Sequence, residues 1–522
     1  MKKPFAFVIF LVSALVSFAG QNDDLDEQKI CSQVKDYPID SINLSTPLDY
    51  YLSRAWVRLT GKQRLWSEIS SSKFNFDKNA PDEDIDDDFR SYILNEHIDL
   101  IVTYRDSVAA VITHNDGEDF LFLNHCWIEN GRWVNGGQSL SDNIYNAKHK
   151  LSYTLPSFYA NLPRIAMIKN IPEDITPFTD YLKNVTSSPE QFVLDMLATH
   201  KIVINGEYHR RKVSWDMLKR LIALPGFPLK VGRVFMELPS WCQSMMDEFM
   251  ASDTMNTEII LQIFREEQPN GWWDRGEYEF ICQLWSLNKT LPVEQRIEVV
   301  LVDYQIPYSK VKKSNQRKTE DRNAHMAKVI YQTISTTTDK RNSLFLVGCA
   351  HAYKSGQAGI ASSAYGKVSG KTAAAQLVDK LGNDNVFTIF QHVLPGDNNG
   401  ANKSPIRGGV FDKAFELNGN RPVGFALSGS PFGKEPFDGI YEIKYNIVTG
   451  CYSDNFDGYL FLHPIDNEPK AMPLTEVFTD EFVAEMKRRA SVLQMDDYRG
   501  IWFGETASNL TKEYIIKVLT EP

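Results

Sequence analysis

The sequence predicts an α/β protein: a mostly parallel sheet with helices on both faces, preceded by a small N-terminal α+β domain. Three observations carry this. Short β-branched and apolar runs alternate with segments of helical period from about Ser188 to His392, and strands separated by helices mean parallel βαβ units. Two of the runs end alike, in Gly206-Glu207-Tyr208-His209 and in Gly348-Cys349-Ala350-His351. Earlier in the chain, from Ile98 onward, the apolar period changes to two, which marks an antiparallel layer.

The chain opens with Lys2 and Lys3, an apolar stretch from Phe5 to Phe18, and Ser17-Phe18-Ala19. A charged start, an apolar run too short to span a bilayer and a small-x-small site predict a signal peptide over 1–20, cut near Ala19 or Gly20. Export to the periplasm or outside the cell is the expectation. No cysteine directly follows the cut, so a lipid anchor is not expected, and no later stretch predicts a transmembrane helix. A net charge of −11 over 522 residues argues against nucleic acid as a partner. A small molecule is the expected substrate. Cys31, Cys126, Cys242, Cys282, Cys349 and Cys451 form no Cys-x-x-Cys pair, so neither a zinc knuckle nor a thioredoxin-type motif is present. Spacing chooses no disulfide pairing.

Gln21 to Glu27 is polar and acidic, a flexible lead-in. Leu48 to Ile69 carries Leu52, Ala55, Trp56 and Leu59 at helical spacing. Asn79 to Asp88 is acidic; Asp82, Asp84, Asp86 and Asp88 alternate as in a calcium loop, but its glycine and closing glutamate are missing, so a solvated loop is expected. Strands follow at 99–104, 107–112, 120–126 and 132–134, with Asp116-Gly117 and Asn130-Gly131 as turns. This α+β pattern faintly resembles the nuclear-transport-factor-like (SnoaL-like) domain. It is read as an accessory domain over 30–186, joined through Pro172 to Pro189, and His125 as a packed or surface histidine.

In the core, 188–395, the strand Lys201–His209 leads to a helix over 213–224. The strand Gly232 to Leu238 carries Glu237, and Ser240 to Leu287 is helical, broken at Pro269-Asn270-Gly271. The run from Ile297 ends in Asp303; a helix over 319–334 takes Thr319 as its cap. Ser343 to Val347 leads to the second Gly-x-x-His, then a helix over 372–381, then the strand Asn385 to Phe390 with His392 beyond. The region 396–522, with glycine-rich stretches at Pro395 to Gly409 and Leu427 to Gly439, short strands and a helix near 479–493, reads as an extension that completes the core with covering loops.

Ligands of open parallel sheets bind beyond the carboxyl ends of the strands. Glu207, His209, Glu237, Asp303, His351 and His392 all fall at such ends, where a charge is costly unless it is paired or used. Gly366 to Thr372 mimics a phosphate-binding loop but has one residue too few between its glycines, and no Gly-x-Ser-x-Gly occurs. Nucleotide binding there and an ordinary serine triad are therefore not supported. Arg210, Arg211 and Lys212, with Lys310 to Lys318, are candidates to attract an anionic substrate.

The order strand–Gly206-Glu207-x-His209, strand–Glu237, strand–Asp303, Arg322-Asn323-x-x-Met326-Ala327 and strand–Gly348-x-x-His351 resembles the superfamily that joins erythromycin esterases, ChaN-like haem-binding proteins and Tiki/TraB proteins. Two departures bear on the branch. Asn323 stands where the esterases carry an acid, and a single residue separates Glu207 from His209, which is nearer the ChaN-like form. The resemblance implies a hydrolase in which His209 activates water, with Glu207 and Glu237 orienting it. His351 is implied as the opposing acid or base, and Arg322 steadies a carboxylate or oxyanion. Asp303 and Tyr208 join Arg322 as binding residues. The leading reading requires no cofactor. The alternatives are a divalent metal on Glu207, His209, Glu237 and His351, as in a Tiki/TraB-like peptidase, and a haem or iron carrier with Tyr208, His209 and His351 as axial ligands. Met326 and Val329 share a helical stripe with Arg322, which directs Arg322 inward and favours the metal-free case.

Overall fold

The computed structural model describes residues 25–71, 81–116, 121–140, 172–267, 273–313, 321–354, 371–393, 406–437, 450–493 and 509–521. The leader at 1–20, Gly117, Pro269-Asn270-Gly271, Thr319, the basic residues beyond Lys313, residues 395–405 and Gly439 lie outside them. The chain divides into two compact units, one over Met1–Glu173 with Leu394–Val410 and Asp438–Thr449, the other comprising the rest.

In the first unit five strands form an antiparallel meander in chain order: β1 (Leu25–Gln33), β2 (His97–Tyr104), β3 (Val108–His114), β4 (Phe122–Glu129) and β5 (Arg132–Leu140). The lead-in expected to be flexible is a strand from Leu25, paired to Tyr104; main-chain bonding to an open edge needs no apolar side chain. Asn130 and Gly131 adopt positive φ of 52° and 74° between β4 and β5, as the hairpin twist demands. The helix expected over 48–69 runs only from Pro47 to Thr60 and stops at Gly61, φ 64°, the left-handed cap glycine favours. Its Tyr50, Tyr51, Ala55 and Val57 pack on Ile98, Ile101, Ala109 and Val111 of the sheet. The acidic stretch is more than a solvated loop: Asp86 caps a helix, Asp87–Leu94, by accepting the Phe89 N–H. His125 is packed, 5% exposed, and burial lowers its pKa to about 4.

The second unit holds a seven-stranded sheet: β6 (Ile202–Glu207), β7 (Val231–Pro239), β8 (Glu298–Asp303), β9 (Asn342–Gly348), β10 (Val386–Gln391), β11 (Val423–Ala426) and β12 (Gly458–Phe461). Their order is β11-β12-β10-β6-β9-β7-β8. All neighbours are parallel except β11 against β12. Val203, Val234, Met236, Leu344 and Leu346 enter one apolar cluster, while the alternating Ile204, Phe235, Phe345 and Val347 are equally buried. A sheet buried on both sides is covered on both sides, as parallel sheets are. The helical region after β7 divides into Gln243–Ala251, Thr257–Glu266 and Arg275–Thr290. The helix expected from Thr319 is Arg322–Thr336, capped by Asp321, which accepts the Ala324 N–H; the shorter acid nearer the first turn supplies the cap. No helix among the described residues is long and apolar enough to cross a membrane. No disulfide joins any of the six cysteines.

Candidate functional site

Four neighbouring strands, β6, β9, β7 and β8, bring their carboxyl ends to one rim. Glu207 is the register partner of Gly348, so the two Gly-x-x-His turns leave the sheet side by side. The Gly348 backbone runs directly beneath His209: a Cβ there would lie 2.9 Å from Nε2 of His209 and 3.3 Å from Oε2 of Glu237. Any side chain at this close approach would crowd the His209 ring.

His209 donates Nδ1–H to Oε1 of Glu207 at 2.6 Å, which leaves Nε2 as the basic nitrogen. Burial disfavours its charge, but the charge and hydrogen bond of Glu207, reinforced by Glu237, outweigh that and raise its pKa above the usual 6.5. His351 is held by Asn323, whose Oδ1 accepts the Ala373 N–H at 2.9 Å and lies 2.8 Å from Nδ1 of His351. Because that amide oxygen accepts, Nδ1 of His351 carries hydrogen. Its Nε2 lies 3.4 Å from Oε1 of Glu237.

Arg322 sits at the start of its helix and reaches the rim. Its Nε and Nη2 grip Asp303 side-on at 2.9 and 2.8 Å, and Nη2 also meets Oε1 of Glu237 at 2.5 Å. Asp303, wholly buried, takes a further bond of 2.9 Å from Gln305. Glu237 is completed by the Gly348 N–H on Oε2 at 2.6 Å. Burial opposes the charge of Glu237, but His351, Arg322 and His209 hold its pKa below the usual carboxylate range. Burial raises the pKa of Asp303, against the pull of Arg322.

The rim thus gathers Glu207, His209, Glu237, Asp303, Arg322 and His351. Tyr208 sets its ring edge-on to Phe390 at 6.5 Å. His392, fully buried, is bound to the Tyr459 hydroxyl at 2.6 Å and to Asp412 at 3.1 Å. The expectation that Arg211 attracts an anion is corrected. Arg211 is buried and occupied by Glu468, at 2.8 and 2.6 Å, and by the His392 carbonyl at 3.0 Å; Lys212 bonds Asp216. Of the downstream lysines, Lys310 lies over the Trp241 ring at 4.5 Å.

A divalent metal does not fit the rim. Both oxygens of Glu237 already accept from Arg322 and Gly348, and no three of Glu207, His209, Glu237 and His351 bring ligand atoms within 4.8 Å of one another. The cationic partner those carboxylates need is the guanidinium.

Sequence reasoning missed Asn323 as the holder of His351, although it stands inside the Arg322 motif. It also missed a further layer of buried acids, Glu267, Asp274 and Glu277. Burial, with Glu207 and despite the Gly276 N–H, raises Asp274 to about 6. Glu277 is raised by burial and by Glu267, Glu207 and Asp274. Arg210, φ 64°, faces this layer; burial lowers its pKa, against the pull of Asp274 and Glu267. The unusual density of acids on both sides of Trp273 was the available signal.

No protein-family model matches the chain, and no curated protein does. Solved structures resemble it distantly. A protein from Bacillus cereus shares 10% identity at a TM-score of 0.34, covering 55% of this chain and 97% of its own. An erythromycin esterase in its open conformation shares 10% identity at 0.35, covering 51% and 91%. A type III effector shares 10% at 0.27, covering 40% and 86%. Likenesses this distant say nothing of this chain's chemistry.

Proposed function

We propose that this chain is an exported hydrolase that opens an ester, lactone or related bond of a small molecule by histidine-activated water. The observation that carries the reading is the pair of oriented imidazoles, His209 on Glu207 at 2.6 Å and His351 on Asn323 at 2.8 Å, on adjacent strand ends. In the reaction, Nε2 of His209 takes a proton from water as the oxygen attacks the carbonyl carbon. The tetrahedral intermediate then expels its alkoxide, which takes a proton from Nε2 of His351. One proton enters and one leaves, so the pair resets through solvent exchange. General acid and general base of this kind each contribute about 10²–10⁴-fold. Arg322 serves by neutralising Glu237 and Asp303, which fixes the floor beneath both histidines. The bond class rests on the motif resemblance; the acid–base pair rests on the geometry.

A panel of esters and lactones offered to purified mature protein tests this. His209→Asn keeps an N–H for Glu207 and removes the base, so turnover should vanish while the melting temperature holds. Turnover equal to that of the parent in this variant overturns the proposal.

A further inference from the structure

The first unit carries a second cluster of ligating side chains, far simpler than the rim. His97, at the start of β2, and His114, at the end of β3, are register partners. Partners opposite each other in an antiparallel ladder project from the same face, and these two rings stack at 4.6 Å, 13° from parallel. Two residues further on, Asp116 places Oδ2 3.4 Å from Nε2 of His97. One ligand atom from each of the three lies within 4.8 Å of the others, and among the described residues no other trio of histidine, cysteine or acid does so.

Both tautomers are set for coordination. The Gln33 side-chain nitrogen donates to the Asn95 carbonyl at 3.1 Å, which identifies it as the amide nitrogen, and it lies 2.9 Å from Nε2 of His97. That ring nitrogen therefore holds a lone pair, and the same lone pair looks toward the Asp116 carboxylate. Two acceptors facing each other are relieved by a cation between them. On His114, Nδ1 donates to Oδ2 of Asp99 at 2.7 Å, so the lone pair falls on Nε2. A carboxylate behind a ligating imidazole is the usual support that fixes its tautomer and raises its basicity.

We propose that His97, His114 and Asp116 bind one divalent ion of the zinc class, which clamps the open end of the β2–β3 hairpin. Two imidazoles and one carboxylate suit zinc, nickel or copper above magnesium or calcium. Ligands of tetrahedral zinc stand about 3.3 Å apart, from bonds of about 2.0–2.2 Å, so the trio closes by small side-chain rotations; the ion replaces the Gln33 hydrogen at His97. Water fills the remaining position. The cluster lies open enough for entry, with side-chain exposures of 30% at His97 and 84% at Asp116.

The test is zinc titration of the untagged full chain by calorimetry and thermal melting, with magnesium as the comparison ion. One equivalent of zinc should bind and raise the melting temperature in a concentration-dependent way, and magnesium should do neither. His97→Gln and Asp116→Ala should each weaken zinc by about tenfold or more, while His209→Asn leaves it unchanged. Asp116 is so exposed that its removal spares the fold, which keeps the test decisive if His97→Gln is unstable. Absence of zinc binding at millimolar concentration overturns the assignment. So does binding that survives both variants, or binding lost in His209→Asn, which would place the ion at the rim.

Discussion

Replacing Gly348 by alanine isolates geometry from chemistry at the rim. The backbone there has φ −55° and ψ 138°, open to any residue, so the added methyl costs nothing in main-chain strain. Its cost is contact: the methyl would stand 2.9 Å from Nε2 of His209, about 0.5 Å inside an ordinary contact. The ring is tethered to Glu207 and must tilt. A misplacement of 1 Å costs about 100-fold in rate, so half of that predicts about a tenfold fall in kcat/KM, or about 1.4 kcal/mol. Stability should barely move, because the stiffer unfolded chain returns about 0.4–1 kcal/mol against the crowding. The assay is turnover of the best ester or lactone, with a thermal melt and an imidazole nitrogen NMR titration in parallel. The His209 resonance should shift, activity should fall, and the melting temperature should stay within about 3 °C. Wild-type turnover alongside a displaced His209 signal would falsify the role given to that ring.

Glu207 raises the pKa of His209 above 6.5, and the base must be neutral to act, so activity should rise with pH through a midpoint above that value. Glu207→Gln should move this acid limb to lower pH; an unmoved limb assigns it to another group. Since the protonated ring is favoured in the folded chain, its contribution to stability is full below 6.5 and disappears as pH rises through the folded value. Arg322→Met strands Glu237 and Asp303 and should cost about 3–5 kcal/mol in denaturant melts; a change below about 1 kcal/mol would mean the guanidinium is dispensable. Asn323→Asp keeps an acceptor for His351 and should preserve turnover, whereas Asn323→Leu should lose about 10²–10⁴-fold. Equal activity in the two would remove the tautomer argument.

The parallel core was legible because buried strands write themselves as apolar runs with polar ends, as in Ile202 to Glu207 and Ile297 to Asp303. The rim residues were legible for the same reason, since a charge at a buried strand end has few structural uses. Asn323 was not, because its value depends on where Ala373 and His351 arrive in space, fifty and twenty-eight residues away. β1 escaped because an edge strand is defined by its partner more than by its own side chains. Arg211 misled because a basic run looks the same whether it faces solvent or, as Arg211 does, a half-buried Glu468.

The side-by-side pairing of Glu207 with Gly348 makes the sheet itself a gauge block. The gap between the two histidine turns is set by the spacing of adjacent strands, about 4.8 Å, and no change in a surface loop can widen it. Sliding one strand by a residue would not retune the gap either, because it turns every side chain to the opposite face. Under the proposed mechanism, the reach of proton transfer is therefore a constant of the fold. Descendants of this chain could take larger or smaller substrates only by rebuilding what lies above the rim, with the same reaction carried out beneath.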